Sequence, residues 1–144
     1  MIFTDREADY LRSQRLGRLG TVGPDNAPQV RPLGFTLNDD GTIDIGGPRL
    51  SKSLKWRNIQ QNPAVSFVVD DMTPDRPGEV KPGWGRGVEI RGHAELLTGR
   101  KPPPYGDPRF FSDEIIRIHP RRVVSWHLDP ERLQFTRSVV QPSA

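Results

Sequence analysis

The chain has 144 residues, of which 33% are hydrophobic, and its 21 basic and 18 acidic side chains give a formal net charge of +3. This length suits a single domain over residues 1–144, and the small positive charge favours anionic small molecules over an obligate nucleic-acid partner. The absence of cysteine excludes disulfides, thiolate metal sites and cysteine nucleophiles. No apolar run is long enough to span a membrane and residues 1–9 lack the form of a signal peptide, so we expect a cytoplasmic protein.

The first part of the chain predicts one helix followed by a three-stranded meander. Thr4 and Glu7 have the spacing of a capping box, which predicts a helix over about 5–14. Beyond it, the turn residues Gly, Pro, Asn and Asp separate runs of alternating apolar and polar residues. These runs predict strands at 16–22, 29–37 and 42–46.

The rest of the chain predicts a second helix and further strands. Pro63 ends a helical pattern over 51–61, and Pro120 interrupts a late apolar segment, so that it must occupy an edge or a bend. Pro- or Gly-rich loops are predicted at 71–87 and 101–108, strands at 64–70, 88–97, 114–118 and 121–128, and a frayed tail at 141–144. This series predicts a mainly β protein with two short helices, folded as a small closed or half-closed antiparallel barrel.

The start of the second helix has the chemistry of an anion site. Ser51 and Ser53 offer hydroxyl groups beside the ammonium groups of Lys52 and Lys55. The first turn of a helix adds unpaired N–H groups and a partial positive charge, which together favour a phosphate. The same residues also fit a capped surface helix with solvated lysines.

Five segments, in this order and spacing, carry a resemblance to a known family. They read QRLGRLGTVGPDNAPQVRPLGF, IDIGG, SLKWRNIQQNPAVSFVVDD, RGVEIRGHAEL and EIIRIHPRRVVSWHL, and they cover most of residues 14–128. The chain resembles the pyridoxamine-phosphate-oxidase-like proteins, and within them the oxidoreductases that depend on coenzyme F420. The resemblance implies an FMN-binding split β-barrel and a homodimer with its cofactor groove between the subunits. It also implies hydride transfer from reduced F420 to an unsaturated or quinone-like organic acceptor.

The resemblance also implies which residues bind the cofactor. Ser53 and Lys55 fall on the phosphate-binding serine and lysine of the family, with Ser51 and Lys52 beside them. The resemblance implies that Arg31 and Pro32 lie near the ring system and that Trp84 and Arg86 lie at the mouth of the pocket. It implies that Trp126 belongs to the wall that the second subunit contributes. Leu54 stands where pyridoxamine phosphate oxidases have an arginine, which argues against the vitamin B6 reaction.

Several alternatives stay open at this point. The same fold could bind FMN and act as a flavin reductase, or carry a cofactor without catalysis, and a barrel that binds single-stranded nucleic acid is the least favoured interpretation. No acid–base pair or catalytic triad is evident, so catalytic residues cannot be named. His93, His119 and His127 do not fit a metal-ligand spacing, and we expect no metal site.

Overall fold

The structure is a computed structural model that describes residues 2–140, and it contains two α-helices and eight β-strands. The helices are α1 (Asp5–Ser13) and α2 (Leu54–Gln61), and the strands are β1 (Gly17–Val22), β2 (Pro28–Leu33), β3 (Thr36–Leu37), β4 (Ile43–Ile45), β5 (Ala64–Met72), β6 (Gly85–Thr98), β7 (Glu114–Asp129) and β8 (Arg132–Ser138). The tail predicted at 141–144 lies outside the described residues. Within them, neither helix is long and apolar enough to cross a membrane.

All strand pairings are antiparallel, and they join the strands into one curled sheet. The strand order is β2-β1-β5-β6-β7-β4-β3, and β8 pairs with the C-terminal part of β7. The long strand β7 therefore contacts β6 along most of its length, β4 near its start and β8 near its end. This architecture confirms the predicted mainly β split barrel.

One face of the sheet, called the inner face, carries the hydrophobic core. It is defined by Leu19, Phe67, Ile90 and Val123, which are opposite one another on successive strands and at most 1% exposed. Both helices bury apolar side chains in the same core. Because neighbouring residues of a strand point to opposite faces, the alternate residues form the outer face.

The two longest strands bend at a β-bulge. The register shifts between Arg91 and Gly92, and Gly92 lies opposite Pro120. A Cβ atom at Gly92 would lie only 2.2 Å from the carbonyl oxygen of His119, so the close approach requires glycine. Pro120 occupies a bend, as expected, but one continuous strand replaces the two strands predicted at 114–118 and 121–128.

The structure corrects three other predictions. The strand expected at 29–37 is divided into β2 and β3, and the loop expected at 71–87 is shortened to 73–84 because β5 and β6 extend into it. The strand β8 was missed altogether. In contrast, the capping box is confirmed, since Thr4 Oγ1 accepts the Glu7 amide at 3.2 Å and Glu7 Oε1 accepts the Thr4 amide at 2.9 Å.

Candidate functional site

Two basic side chains from different elements lie within electrostatic range of each other on the inner side of the sheet. Arg31 in β2 pairs with Leu19 of β1, which places it on the inner face, and Lys55 is the second residue of α2. Burial, and then the positive charge of Arg31, lower the pKa of Lys55 below its usual range. Among residues 2–140, neither side chain forms an ion pair with a carboxylate. Two neighbouring cations without a compensating anion make this the best-defined anion site on the inner face.

The N-terminus of α2 faces the same site. Ser53 caps the helix, because its hydroxyl oxygen accepts the Trp56 amide at 3.3 Å while its proton is donated to the Leu50 carbonyl at 2.6 Å. The capping fixes the first turn, whose partial positive charge adds to that of Lys55. The Ser53 hydroxyl group already makes two hydrogen bonds as a helix cap, so it has limited capacity to bind a ligand.

A carboxylate of the chain itself lies beside Ser51 and Lys52. Glu114 Oε1 accepts the backbone amide of Ser51 at 3.0 Å. Burial raises the pKa of Glu114, but hydrogen bonds from Ser51 and Ser112 outweigh this effect, so that the pKa is lowered overall and the group is an anion at neutral pH. The 3₁₀ turn that contains Ser51 is thus already charge-compensated, unlike the Arg31–Lys55 pair.

Buried polar side chains connect α2 to the strands beneath the cation pair. Asn58 Nδ2 donates to Thr21 Oγ1 at 3.0 Å, and Thr21 Oγ1 donates to Gln29 Oε1 at 3.4 Å. Asn58 and Thr21 are each only 2% exposed. Asn58 follows Lys55 by three residues and Gln29 precedes Arg31 by two, so these hydrogen bonds set the position of one cation relative to the other. Asn58 lies within one of the five segments that carry the family resemblance, but the sequence alone assigns it no role.

Pro32 lies on the opposite face from Arg31. It pairs with Arg18 of β1, and on the same outer face Val30 is 65% exposed. A shallow groove of about 490 Å³ runs over this face, and its floor consists of small residues such as Gly20, Ala64 and Ser66. The structure therefore does not bring Pro32 together with Arg31.

The other predicted residues lie at the far end of β6. Arg86 donates two hydrogen bonds to Asp71, at 2.8 and 3.2 Å, and its guanidinium lies 5.1 Å from the ring centre of Tyr10. These hydrogen bonds raise the pKa of Arg86 and commit its charge to Asp71. Trp84 is 59% exposed, whereas the indole of Trp126 is half-buried across Gly87.

The nine predicted residues therefore form separate groups. Arg31 is level with Ile90 of β6 through the strand register, and Arg86 lies four residues, about 13 Å, further along that strand. Arg31, Ser53 and Lys55 make up the basic group, and Trp84 and Arg86 lie at the far end. Trp126 pairs with Gly87, three residues from Ile90, so it lies on the outer face. Ser51 and Lys52 sit beside Glu114, and Pro32 is on the outer face.

The comparisons with known proteins agree with this fold. A family model described as Pyridoxamine 5'-phosphate oxidase matches residues 3–136. A curated relative from Streptomyces rimosus, a 5a,11a-dehydrotetracycline/5a,11a-dehydrooxytetracycline reductase, is 43% identical over 132 residues, which are 90% of this chain and 86% of the relative.

Two solved structures extend the similarity. A conserved hypothetical protein of Mycobacterium tuberculosis is 26% identical with a TM-score of 0.67, over 100% of this chain and 96% of that one. A structure described as an F420 reductase is 27% identical with a TM-score of 0.52, over 76% of this chain and 88% of that one. With the reductase relative, these findings support an oxidoreductase.

Proposed function

Since the chain belongs to the pyridoxamine 5'-phosphate oxidase family, we propose that it is a reductase that binds coenzyme F420 and passes hydride to an unsaturated organic acceptor. Arg31 and Lys55 bind the phosphate group of the cofactor, and the Ser53-capped N-terminus of α2 faces the same oxygens. Reduced F420, when bound, supplies the hydride, and the protein contributes orientation and removal of water.

The observation that carries this proposal is the uncompensated Arg31–Lys55 pair. The pKa of Lys55 is lowered first by burial and then by the positive charge of Arg31, so two like charges interact in a partly buried place. A bound phosphate relieves that repulsion and accepts charge-assisted hydrogen bonds from both side chains. Ser51 and Lys52 lie beside Glu114, so we do not assign them to the phosphate. Lys52 instead contacts the anionic tail of the cofactor.

The choice of F420 and of the acceptor class rests on the relatives. The F420 reductase is 27% identical, and the Streptomyces rimosus relative is a reductase of a dehydrotetracycline at 43% identity. We infer that the acceptor here is likewise an unsaturated carbonyl compound within an oxygen-rich ring system. FMN is the alternative ligand, because its phosphate suits the same cation pair.

We further propose that the functional unit is a homodimer. The outer face has the exposed Val30 and a floor of small residues, which allows a second sheet to approach closely. In such a dimer the Arg121–Trp126 segment would close the partner's cofactor groove, as the family resemblance implies. This places the dimer contact on the side of the sheet opposite the core.

A pair of titrations tests the cofactor assignment. Purified protein is titrated with oxidised F420 and separately with FMN, and quenching of cofactor fluorescence is followed. Lys55→Ala should weaken F420 binding about tenfold or more, since a hydrogen bond to a charged group contributes about 1.5–3 kcal/mol. Arg15→Ala removes an exposed arginine from the region after α1 and serves as the charge-matched control. Equal affinity in the two variants would refute the assignment.

Turnover then separates an enzyme from a carrier. Reduced F420 is mixed with the protein and an acceptor such as 5a,11a-dehydrotetracycline, and the return of oxidised-cofactor absorbance is measured. An enzyme oxidises many equivalents of reduced cofactor. A carrier binds the cofactor with the same affinity and leaves it reduced.

A further inference from the structure

A second cavity lies between α1 and the hairpin that joins β5 to β6. It has a volume of about 380 Å³, within the range of small-molecule sites, and we call it the hairpin pocket. Its lining includes Arg6, Tyr10, Thr73, Glu79, Arg86 and His127. Among these six residues, the sequence nominated only Arg86 for cofactor binding, and its charge is committed to Asp71.

Thr73 brings an unsatisfied hydroxyl group to this pocket. The residue is only 3% exposed, and within the described part of the chain its Oγ1 has no hydrogen-bond partner. Its backbone is fully used, because its amide donates to the Trp84 carbonyl at 2.8 Å and its carbonyl accepts the Gly83 amide at 3.1 Å. A buried hydroxyl without a partner is unfavourable, and an oxygen-bearing ligand in the pocket would supply the missing hydrogen bond.

His127 presents a second polar atom from a strained backbone. Its φ angle is +57°, in the left-handed region that residues other than glycine seldom adopt. Its Nδ1 lies 2.6 Å from the Gly85 carbonyl oxygen. A carbonyl oxygen can only accept, so Nδ1 carries a proton, and Nε2 is the ring nitrogen left for a ligand.

The charges that line the pocket balance each other. Two guanidinium groups, of Arg6 and Arg86, are matched by the two carboxylates of Asp9 and Glu79. Glu79 is also bound by Arg76 at 2.8 Å. The pocket thus lacks the excess positive charge of the Arg31–Lys55 pair, and it favours a ligand without net charge over a phosphate.

An exposed aromatic side chain lies next to the pocket. Trp84 contacts His127 edge to face, with ring centres 5.9 Å apart, and keeps 59% of its surface exposed. An indole exposed beside a polar cavity is suited to a flat ring whose oxygen atoms enter the cavity.

We propose that the hairpin pocket binds a flat ring system without net charge that carries hydroxyl and carbonyl groups. Thr73 donates to a ligand oxygen, His127 Nε2 accepts a ligand hydroxyl, and Trp84 packs against the ring. We identify this ligand as the hydride acceptor, an assignment that rests on the proposed function. The unlike charges of the two sites then direct the phosphate of the cofactor to the cation pair and the acceptor to the hairpin pocket.

The test uses tetracycline, in the presence of a chelator, as a stable probe of the acceptor class. Binding to the full chain is measured by isothermal titration calorimetry for the wild type, Thr73→Val, Thr73→Ser and Thr98→Val. Thr73→Val keeps the side-chain shape and removes the hydroxyl, so we expect about tenfold weaker binding. Its melting temperature should be equal to or above that of the wild type, since the lost hydroxyl had no partner. Thr73→Ser should restore affinity, and Thr98→Val, an exposed site, should have no effect.

The outcomes separate this inference from the proposed function. Failure of the wild type to bind tetracycline, or equal binding by Thr73→Val, overturns the pocket assignment whatever the cofactor titrations show. Tetracycline binding that depends on Thr73 in a protein that binds neither F420 nor FMN supports the pocket and refutes the reductase.

Discussion

The ion pair between Glu7 and Arg137 is the contact through which β8 should contribute most to stability. Arg137 donates to both carboxylate oxygens of Glu7, at 2.5 and 3.0 Å, and to the Ile2 carbonyl at 2.7 Å. Glu7 is 2% exposed, so Arg137→Met would leave a buried carboxylate without its cation. Breaking such a pair typically costs 3–5 kcal/mol. Because Glu7 keeps hydrogen bonds from Thr4 and Ser125, we expect the lower limit, about 3 kcal/mol.

Urea unfolding followed by tryptophan fluorescence measures this loss. The midpoint should fall with an unchanged slope, and the melting temperature should drop by about 10 °C for a chain of this size. A double-mutant cycle with Glu7→Gln isolates the pairwise energy from the lost packing of the Arg137 stem. A coupling energy below about 1 kcal/mol would show that the pair is energetically equivalent to an exposed one, and would refute the reasoning.

The pH dependence of the same variant gives an independent check. Burial raises the pKa of Glu7, but hydrogen bonds from Arg137, Ser125 and Thr4 outweigh it, and the pKa is lowered below 4.5. A carboxyl group with a lowered folded pKa stabilises the protein above its unfolded pKa, and this stabilisation is lost as the pH falls through the folded pKa. The stability difference between wild type and Arg137→Met should therefore be largest near pH 7 and should shrink below about pH 4.5.

Two further substitutions test the bulge and the polar chain beneath the cation pair. Gly92→Ala should destabilise the protein by about 2–3 kcal/mol, because the new Cβ would meet a backbone oxygen that cannot move aside; an unchanged urea midpoint would contradict the bulge geometry. Thr21→Val should cost about 1–3 kcal/mol by leaving the amide of Asn58 unpaired, and should also weaken F420 binding, while Thr21→Ser preserves both. Loss of stability without loss of F420 affinity in Thr21→Val would show that the polar chain does not position the cations.

Local sequence signals predicted most of the helices and strands. The features that these signals missed depend on residues far apart in the chain. The capping box of Thr4 and Glu7 and the helix stop at Pro63 act within a few residues, so the sequence predicted both helices closely. The strand β8 was missed because its segment, RLQFTRS, is rich in polar residues and largely exposed. Its Arg137 donates to Glu7, 130 residues away in the chain.

The candidate site was predictable only in part for the same reason. The family resemblance, which the comparisons confirm, nominated both Arg31 and Lys55. Their proximity depends on the register of β1 and β2, and that register also places Pro32 on the other face. The carboxylate of Glu114 reaches Ser51 from 63 residues away, and Thr73 lay within a segment expected to be an irregular loop. Residues close in the sequence give no indication of these contacts, so the sequence alone did not predict them.

The distribution of charge partners gives the strongest argument that the Arg31–Lys55 pair serves binding. Three of the buried or half-buried acidic groups meet a guanidinium, in the pairs Glu7–Arg137, Asp44–Arg117 and Asp71–Arg86. Glu114 instead accepts the Ser51 amide. These carboxylates are therefore compensated by partners within the fold. Within residues 2–140, Arg31 and Lys55 have no such partner, although their repulsion disfavours the charged form of Lys55. A bound anion would remove that cost, and so the pair is better explained by a ligand phosphate than by the stability of the fold.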